Sequence, residues 1–345
     1  MVNLMRLLRE LNHAVTFLAD NRAHAGPYTE ALQALGVQVL YHPFVSDPVD
    51  WLRENGRSLD AIVLSRHYVA VNYIGPARLY AAQALLIFDT VDLHYLREER
   101  AAALDGNREL ARHAALTKAQ ELKVMRSTDV TLVVSTAEQA LLARELPDRR
   151  IEVLSNVHAL HGCRKPFAAR RDLVFIGGFQ HPPNIDAACW FVAEVMPLLR
   201  TDGSGPRLHI IGSKAPASVL ALAAGDVIVH GYVEDLAPLM DSSRLSVAPL
   251  RYGAGVKGKI NMAMSYGLPV VATPIAVEGM HVEPGVDVMV ADSAAEFAAA
   301  IRSAYDDETL WQALSANGLA NVREHFSFDA ARAALQRILP PARTR

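Results

Sequence analysis

Residues 247–280 read VAPLRYGAGVKGKINMAMSYGLPVVATPIAVEGM. The pattern is a strand, a glycine loop, a helix, a second strand and a turn. Ser246–Leu250 is a short apolar run, and Leu268–Thr273 has the β-branched centre of a buried strand. Between them, Lys259–Tyr266 has helical character and stops at Gly267, a natural residue just beyond a helix end. Gly253, Gly255 and Gly258 let the backbone of the loop come close to a ligand. A loop that feeds a helix start presents unpaired N–H groups and the positive end of a dipole. Lys257 and Lys259 stand at that entrance. Such a set suits a doubly charged group such as a diphosphate; an ordinary strand–helix–strand turn with two solvated lysines has the same pattern.

The chain on either side continues the alternation. Upstream, Leu173–Ile176 leads into Gly177-Gly178-Phe179-Gln180-His181-Pro182-Pro183-Asn184 and a helix over Ile185–Leu199. Asn184 has the chemistry of that helix's cap, and His181 is placed to donate to a phosphate oxygen. Strands Arg207–Ile211 and Val227–Val229 follow, the second running into His230-Gly231-Tyr232-Val233. Downstream come a last strand, Asp287–Val290, and amphipathic helices over Ala294–Tyr305, Glu308–His325 and Phe328–Leu339. Residues 157–171, VHALHGCRKPFAARR, break the periodicity and read as an exposed connection between domains.

The first half alternates in the same way. Strands are expected at Ala14–Ala19, Val37–Tyr41, Ala61–Leu64, Leu86–Phe88, Thr131–Val134 and Glu152–Leu154. Helices are expected at Tyr28–Leu35, Pro48–Asn55, Ile74–Ala82, Tyr95–Ser127 and Ala137–Glu145. This alternation predicts parallel sheets covered on both faces. Leu4, Leu7, Leu8 and Leu11 share one helical face, so the chain opens on a helix where a doubly wound domain normally opens on a strand. The expectation drawn from this is a truncated beginning; a variant domain with one fewer strand is the alternative. The sharpest polar cluster is Asp89-Thr-Val-Asp92-Leu-His94-Tyr-Leu-Arg97-Glu98, after a strand, where ligands of α/β sheets bind. Asp89, Asp92 and His94 are candidates to orient an acceptor hydroxyl, and a histidine is suited to take its proton. The bland reading makes Asp92 a helix cap and His94 an exposed side chain.

Composition narrows the class. The chain has 345 residues, enough for two domains, with 51% hydrophobic and 21% charged residues. A net charge of −3 argues against a nucleic-acid partner. Two cysteines, Cys163 and Cys189, make neither a disulfide framework nor a metal spacing. No run approaches the roughly 18 apolar residues of a membrane span. No paired carboxylates of the kind that hold a diphosphate through a divalent cation are visible, so neither a metal nor another cofactor is expected.

Together these motifs resemble the GT-B glycosyltransferases of the GT4 type (group 1 glycosyl transferases). The likeness lies in Pro249, the Gly253–Gly255 loop, Lys257–Ile260, Ala263–Met264, Gly267–Thr273 and the Glu278–Gly279 turn, with the glycine loop and His-Pro-Pro-Asn of 177–184. It covers nearly the whole chain, most specifically Asp172 to Asp292. It implies an α/β chain of the GT-B class, two Rossmann-like domains facing a cleft. Their spans would be 1–156 for the acceptor, 157–171 as linker, 172–326 for the donor, and 327–345 as terminal helix and tail. It implies a retaining, metal-independent transfer of sugar from a nucleotide-sugar to a glycan or lipid-linked acceptor. The implied setting is cytoplasmic, with transient contact at the inner face of a membrane. The implied catalytic residues are His94, Asp92 and Lys259. The implied donor site is Gly177, Gly178, His181, Gly231, Val233, Gly253, Gly255, Lys257, Lys259 and Glu278. Many relatives carry two glutamates with seven residues between them; Ala254 and Met262 stand at those positions here. Neither can accept from ribose through a carboxylate, which leaves Glu278 as the nearest substitute. A non-catalytic nucleotide-sugar binder, or an inactive truncated homologue, is the rival expectation.

Overall fold

A computed structural model describes residues 1–200 and 205–341. In chain order its elements begin with α1 (Val2–Glu10), β1 (Thr16–Leu18), α2 (Pro27–Ala34), β2 (Gln38–Leu40), α3 (Pro48–Asn55) and β3 (Ala61–Ser65). Next are α4 (His67–Tyr80), β4 (Leu85–Asp89), α5 (His94–Asp105), α6 (Arg108–Ser127), β5 (Val130–Val133), α7 (Thr136–Glu145) and β6 (Arg150–Val153). The second half opens with β7 (Arg171–Ile176) and α8 (Pro182–Trp190), which passes through a π turn (Phe191–Val195) into α9 (Met196–Leu199). Then come β8 (Leu208–Ile211), α10 (Ala217–Leu220), β9 (Val227–Gly231), α11 (Ala237–Ser242), β10 (Ser243–Ala248), α12 (Gly258–Ser265), β11 (Val270–Ala272) and α13 (Pro274–Val277). The chain ends with β12 (Met289–Val290), α14 (Ala294–Asp306), α15 (Glu308–His325) and α16 (Phe328–Ile338).

The chain divides into two compact units. One takes residues 1–95, 112–157 and the chain from 328; the other takes 96–111 and 158–327. All strand pairs within the sheets are parallel.

In the first unit the strands form two separate sheets, β1-β2 and β3-β4-β5-β6. The β1-β2 pair rests on α1 and α2 through Met5, Leu32 and Val37. The last helix, α16, covers the larger sheet: Ala334 and Ile338 pack with Ile87, Val130 and Leu132. It also packs on α1, where Leu7 meets Ala331 and Leu335. This is the burial expected of two amphipathic helices that each present one apolar stripe.

Two boundaries differ from the periodicity. The single helix expected over Tyr95–Ser127 is broken. Gly106 takes φ +62°, and the Asn107 side chain accepts the amides of Glu109 and Leu110 at 3.0 Å each. A left-handed glycine and an asparagine cap end one helix and start the next. Helix α4 begins at His67, directly after a left-handed Arg66 (φ +69°), well before the expected Ile74.

In the second unit the strand order is β12-β11-β10-β7-β8-β9. The chain enters at β7, winds outward through β8 and β9, then returns to β10 on the other side of β7. The β7/β10 boundary is therefore the topological switch point, where open α/β sheets bind ligands beyond their carboxyl ends. The interior is built from fully buried residues such as Phe175, Ile210, Leu245 and Val271.

The connection read as exposed is anchored at its end. Arg170 is 0% exposed. Its guanidinium donates to the carbonyls of Met240 (2.9 Å), Ser243 (3.2 Å) and Lys165 (2.9 Å), and lies 5.3 Å from the Trp311 ring. A charged residue in a polar run scores as solvent-facing in any local reading. Only the carbonyls converging from β10 and α11 make it a core residue.

Candidate functional site

The switch point of the second unit gathers most of the expected donor residues. After β7, the Gly177 carbonyl presses against the chain after β8: a Cβ on Gly212 would stand 1.8 Å from it. A Cβ on Gly177 would meet Asn184 Cγ at 2.8 Å. Gly177 is thus required for packing, whereas Gly178 has open space, its nearest neighbour being His181 Cδ2 at 4.0 Å. Gly231 closes the next loop, its carbonyl accepting the Gly212 amide (2.8 Å). Val233 lies two residues beyond, half-buried.

Asn184 does not cap its helix. Helix α8 begins at Pro182, and its cap residue, His181, makes no side-chain cap bond. Asn184 instead lies inside the first turn, 8% exposed. Its Nδ2 donates to the Gly178 carbonyl at 2.8 Å, and its Oδ1 accepts from Lys259 Nζ. One amide thereby ties the glycine loop after β7 to the helix after β10. Proline at the helix start moved the boundary, because its fixed φ suits the first helical position.

Lys259 is half-buried, with its ammonium 4.6 Å from the Phe175 ring. Burial, then the neighbouring Lys257, lowers its pKa from 10.5 to about 7. Lys257 is 9% exposed and curls back on its own loop, donating to the carbonyls of Gly255 (2.5 Å) and Ala254 (3.2 Å). Both ammonium groups are therefore held at the entrance of α12, beside Gly253 (φ +153°) and Gly255 (φ +70°). Those φ values are where glycine is at home and other residues are strained.

Glu278 follows α13 and is gripped by Arg100 through two bonds, 2.6 and 2.8 Å. Arg100 also donates to the Gly253 carbonyl at 2.7 Å. The guanidinium, then burial opposing it, leaves the Glu278 carboxyl below its usual range. Arg100 comes from α5, whose residues from Leu96 onward belong to this unit. Arg100 has Glu98 and Glu99 beside it in the sequence, but the carboxylate it grips is 178 residues away.

Asp92 and His94 lie in the first unit, at the carboxyl end of β4. His94 is the first residue of α5 and its side chain is 12% exposed, so the exposed reading is overturned. Its Nδ1 lies 3.2 Å from the Asp92 carbonyl, 3.4 Å from Asp92 Oδ1 and 3.5 Å from Glu121 Oε1. The expected cap role of Asp92 belongs to Glu121. That carboxylate, from the middle of α6, accepts the amides of His94 (3.2 Å) and Tyr95 (3.0 Å). Glu121 is 0% exposed. Burial by itself pushes its carboxyl up, but the imidazoles of His67 and His94 and the Tyr95 amide outweigh that and hold it at about 2. Glu138, from α7, accepts the Leu93 amide at 3.4 Å. His67, His94 and Glu121 bring three metal-capable side chains within 4.8 Å of one another. Their positions, 67, 94 and 121, show no ligand spacing in the sequence. Asp89 next to this group bonds Ser65 Oγ (2.9 Å), and burial raises its carboxyl pKa.

Comparison with known proteins follows this geometry. Residues 170–307, the core of the second unit, match the family model described as Glycosyl transferases group 1. A Klebsiella pneumoniae protein, described as an uncharacterized 44.6 kDa protein in the cps region, is 24% identical over 176 residues. That match takes in 48% of this chain and 43% of the relative, so the chain spans under half the length of the curated protein it matches. Among solved structures, sucrose-phosphate synthase of Thermosynechococcus elongatus has a TM-score of 0.74 at 16% identity, over 97% of this chain and 90% of that one. Anabaena HepE, in complex with UDP and glucose, has a TM-score of 0.71 at 16% identity, over 97% of this chain and 93% of that one. The fold is that of these structures, the GT-B class. Among the described residues, no helix is long and apolar enough to cross a membrane.

Proposed function

We propose that this chain is a GT4-type glycosyltransferase that moves a sugar from a nucleoside-diphosphate sugar to a glycan or lipid-linked acceptor, with retention of configuration. One observation carries the reading. Two lysines, a glycine loop and the start of α12 converge at the switch point of a parallel sheet, within the segment matching the group 1 model. A diphosphate there meets preorganised positive charge at the moment the leaving group gains negative charge, the arrangement that lowers such barriers most. Cationic side chains supply that charge, so the diphosphate itself calls for no metal. Glu278, oriented by Arg100, takes the ribose role that Ala254 and Met262 cannot fill. Gly178 and His181 border the phosphates, and Gly231 and Val233 border the base. In the first unit, Asp92 and His94 are assigned the acceptor hydroxyl. The working location is the cytoplasm, with peripheral contact at the inner membrane face when the acceptor is lipid-linked.

Lys259→Ala tests the donor site. We expect turnover to fall by two orders of magnitude or more, as for loss of a group stabilising the transition state, with an unchanged circular dichroism spectrum. Near-normal transfer by this variant would reject the assignment. A thermal-shift panel of UDP-, GDP- and other nucleotide-sugars identifies the donor, because a ligand specific for the folded form raises its melting temperature. The absence of Ala254 and Met262 carboxylates favours a second reading, a non-catalytic nucleotide-sugar binder. Calorimetric binding without hydrolysis or transfer would select it.

A further inference from the structure

We propose that His67, His94 and Glu121 form a zinc site in the first unit. Two imidazoles and one carboxylate are a donor set that zinc accepts readily. Around an ion with bonds of about 2.0–2.1 Å, tetrahedral ligand atoms stand roughly 3.3–3.4 Å apart. Glu121 Oε1 lies 3.4 Å from His67 Nδ1 and 3.5 Å from His94 Nδ1. These separations are long for a hydrogen bond to a carboxylate, and near the edge of a tetrahedron. All three donors lie within 4.8 Å of one another.

His67 Nδ1 is buried on a residue 7% exposed, and its 3.4 Å approach to Glu121 Oε1 lacks hydrogen-bond geometry. A buried ring nitrogen in that state costs free energy unless something fills its lone pair or takes its proton. A metal ion between it and Glu121 does so.

The surroundings are those of a ligand set already oriented. Glu121 is fixed by two backbone amides, those of His94 and Tyr95. Ligating carboxylates are commonly held by such outer contacts. The starts of α4 and α5 both point at this corner and disfavour a cation there. Glu121, Asp92 and Glu138 offset that effect: Asp92 Oδ1 stands 3.4 Å from His94 Nδ1, and Glu138 accepts the Leu93 amide. Water completes the fourth position. The Tyr68 ring stands edge-on to both imidazoles, with centroids 5.4 and 5.9 Å away, and forms a side wall.

The site does not depend on the transferase reading, but it changes one role within it. A zinc ion on His94 Nδ1 leaves the proton on Nε2. His94 then donates to the acceptor hydroxyl, and Asp92 is the group left to accept from it.

The test uses the whole chain, stripped by a chelator and then titrated with zinc chloride or, as a spectroscopic probe, cobalt chloride. One equivalent of zinc retained after desalting, a raised melting temperature and a visible cobalt absorption are expected. His67→Ala and His94→Ala should each lose the retained zinc. Glu121→Gln, which keeps an acceptor oxygen for one of the two amides, should weaken zinc binding at least tenfold while the circular dichroism spectrum stays native. Lys259→Ala should bind zinc as the parent does. The proposal fails if the parent retains no zinc and shows no cobalt spectrum. It also fails if the His67→Ala/His94→Ala double variant retains zinc as well as the parent.

Discussion

Arg100 and Glu278 stand 178 residues apart and meet through two bonds of 2.6 and 2.8 Å, while the same guanidinium holds the Gly253 carbonyl at 2.7 Å. The turn after α13 and the glycine loop before α12 are thereby locked to one side chain. A bidentate guanidinium–carboxylate contact fixes direction as well as distance. Arg100→Ala should free both segments and weaken binding of the nucleoside diphosphate by about tenfold, or roughly 1.4 kcal/mol. Arg100→Lys, which keeps charge but loses the fork, should recover only part of it. Isothermal titration with the nucleoside diphosphate of the donor that the thermal-shift panel selects measures both, and an unchanged Kd in Arg100→Ala would show that the lock does not serve the ligand.

The ammonium of Lys259 gives a pH signature. Its pKa is lowered from 10.5 to about 7, so between those values the unfolded chain binds more protons than the folded one. The contribution of this group to stability therefore rises as pH increases through that window. A diphosphate prefers the protonated form, so donor affinity should move the other way. Binding of the donor that the thermal-shift panel selects should be tightest below pH 7 and fall by up to about tenfold per pH unit above it. Lys259→Met should abolish that slope. A pH-independent affinity between 6 and 9 would show that Lys259 does not meet the diphosphate.

Asn184 accepts from Lys259 and bonds the Gly178 carbonyl. Asn184→Asp places a carboxylate against the ammonium, which favours its charged form. The pH at which donor affinity breaks should rise by about one unit or more, while basal affinity below pH 7 drops because the new charge repels phosphate. Titration calorimetry across pH reads both effects.

Arg170 offers a stability test away from any ligand. Arg170→Met fills similar volume but leaves the carbonyls of Lys165, Met240 and Ser243 without their donor. Unpartnered buried acceptors cost about 1–3 kcal/mol each before relaxation, and we expect a net loss of about 3 kcal/mol. Urea unfolding should show a lower midpoint with an unchanged slope. A loss within about 0.5 kcal/mol, the scale of an ordinary surface change, would mean that water replaces the guanidinium.

Local sequence was enough for much of the architecture. The alternation of apolar strands with amphipathic helices is set by backbone periodicity, and it led to α/β layers with parallel sheets in both halves. The Gly253–Lys259 stretch and the Gly177–Asn184 stretch were recognisable because glycine conformations and helix starts are written in adjacent residues. Where reading failed, a distant partner decided. Asn184 looks like a cap from its neighbours alone, but it is recruited by Lys259, 75 positions on. Asp92 looks like the cap of α5, but Glu121 holds those amides from another helix.

By itself, then, the amino-acid order determined the strand–helix alternation, the glycine loops and the clustering of lysines at one helix entrance, since each depends on contacts a few residues long. Tertiary structure alone decided which charges are buried and with whom. Arg100 with Glu278, Arg170 among its carbonyls, and Glu121 between two imidazoles are set by folding, because the cost of removing a charge from water is met only by partners that the chain brings from far away.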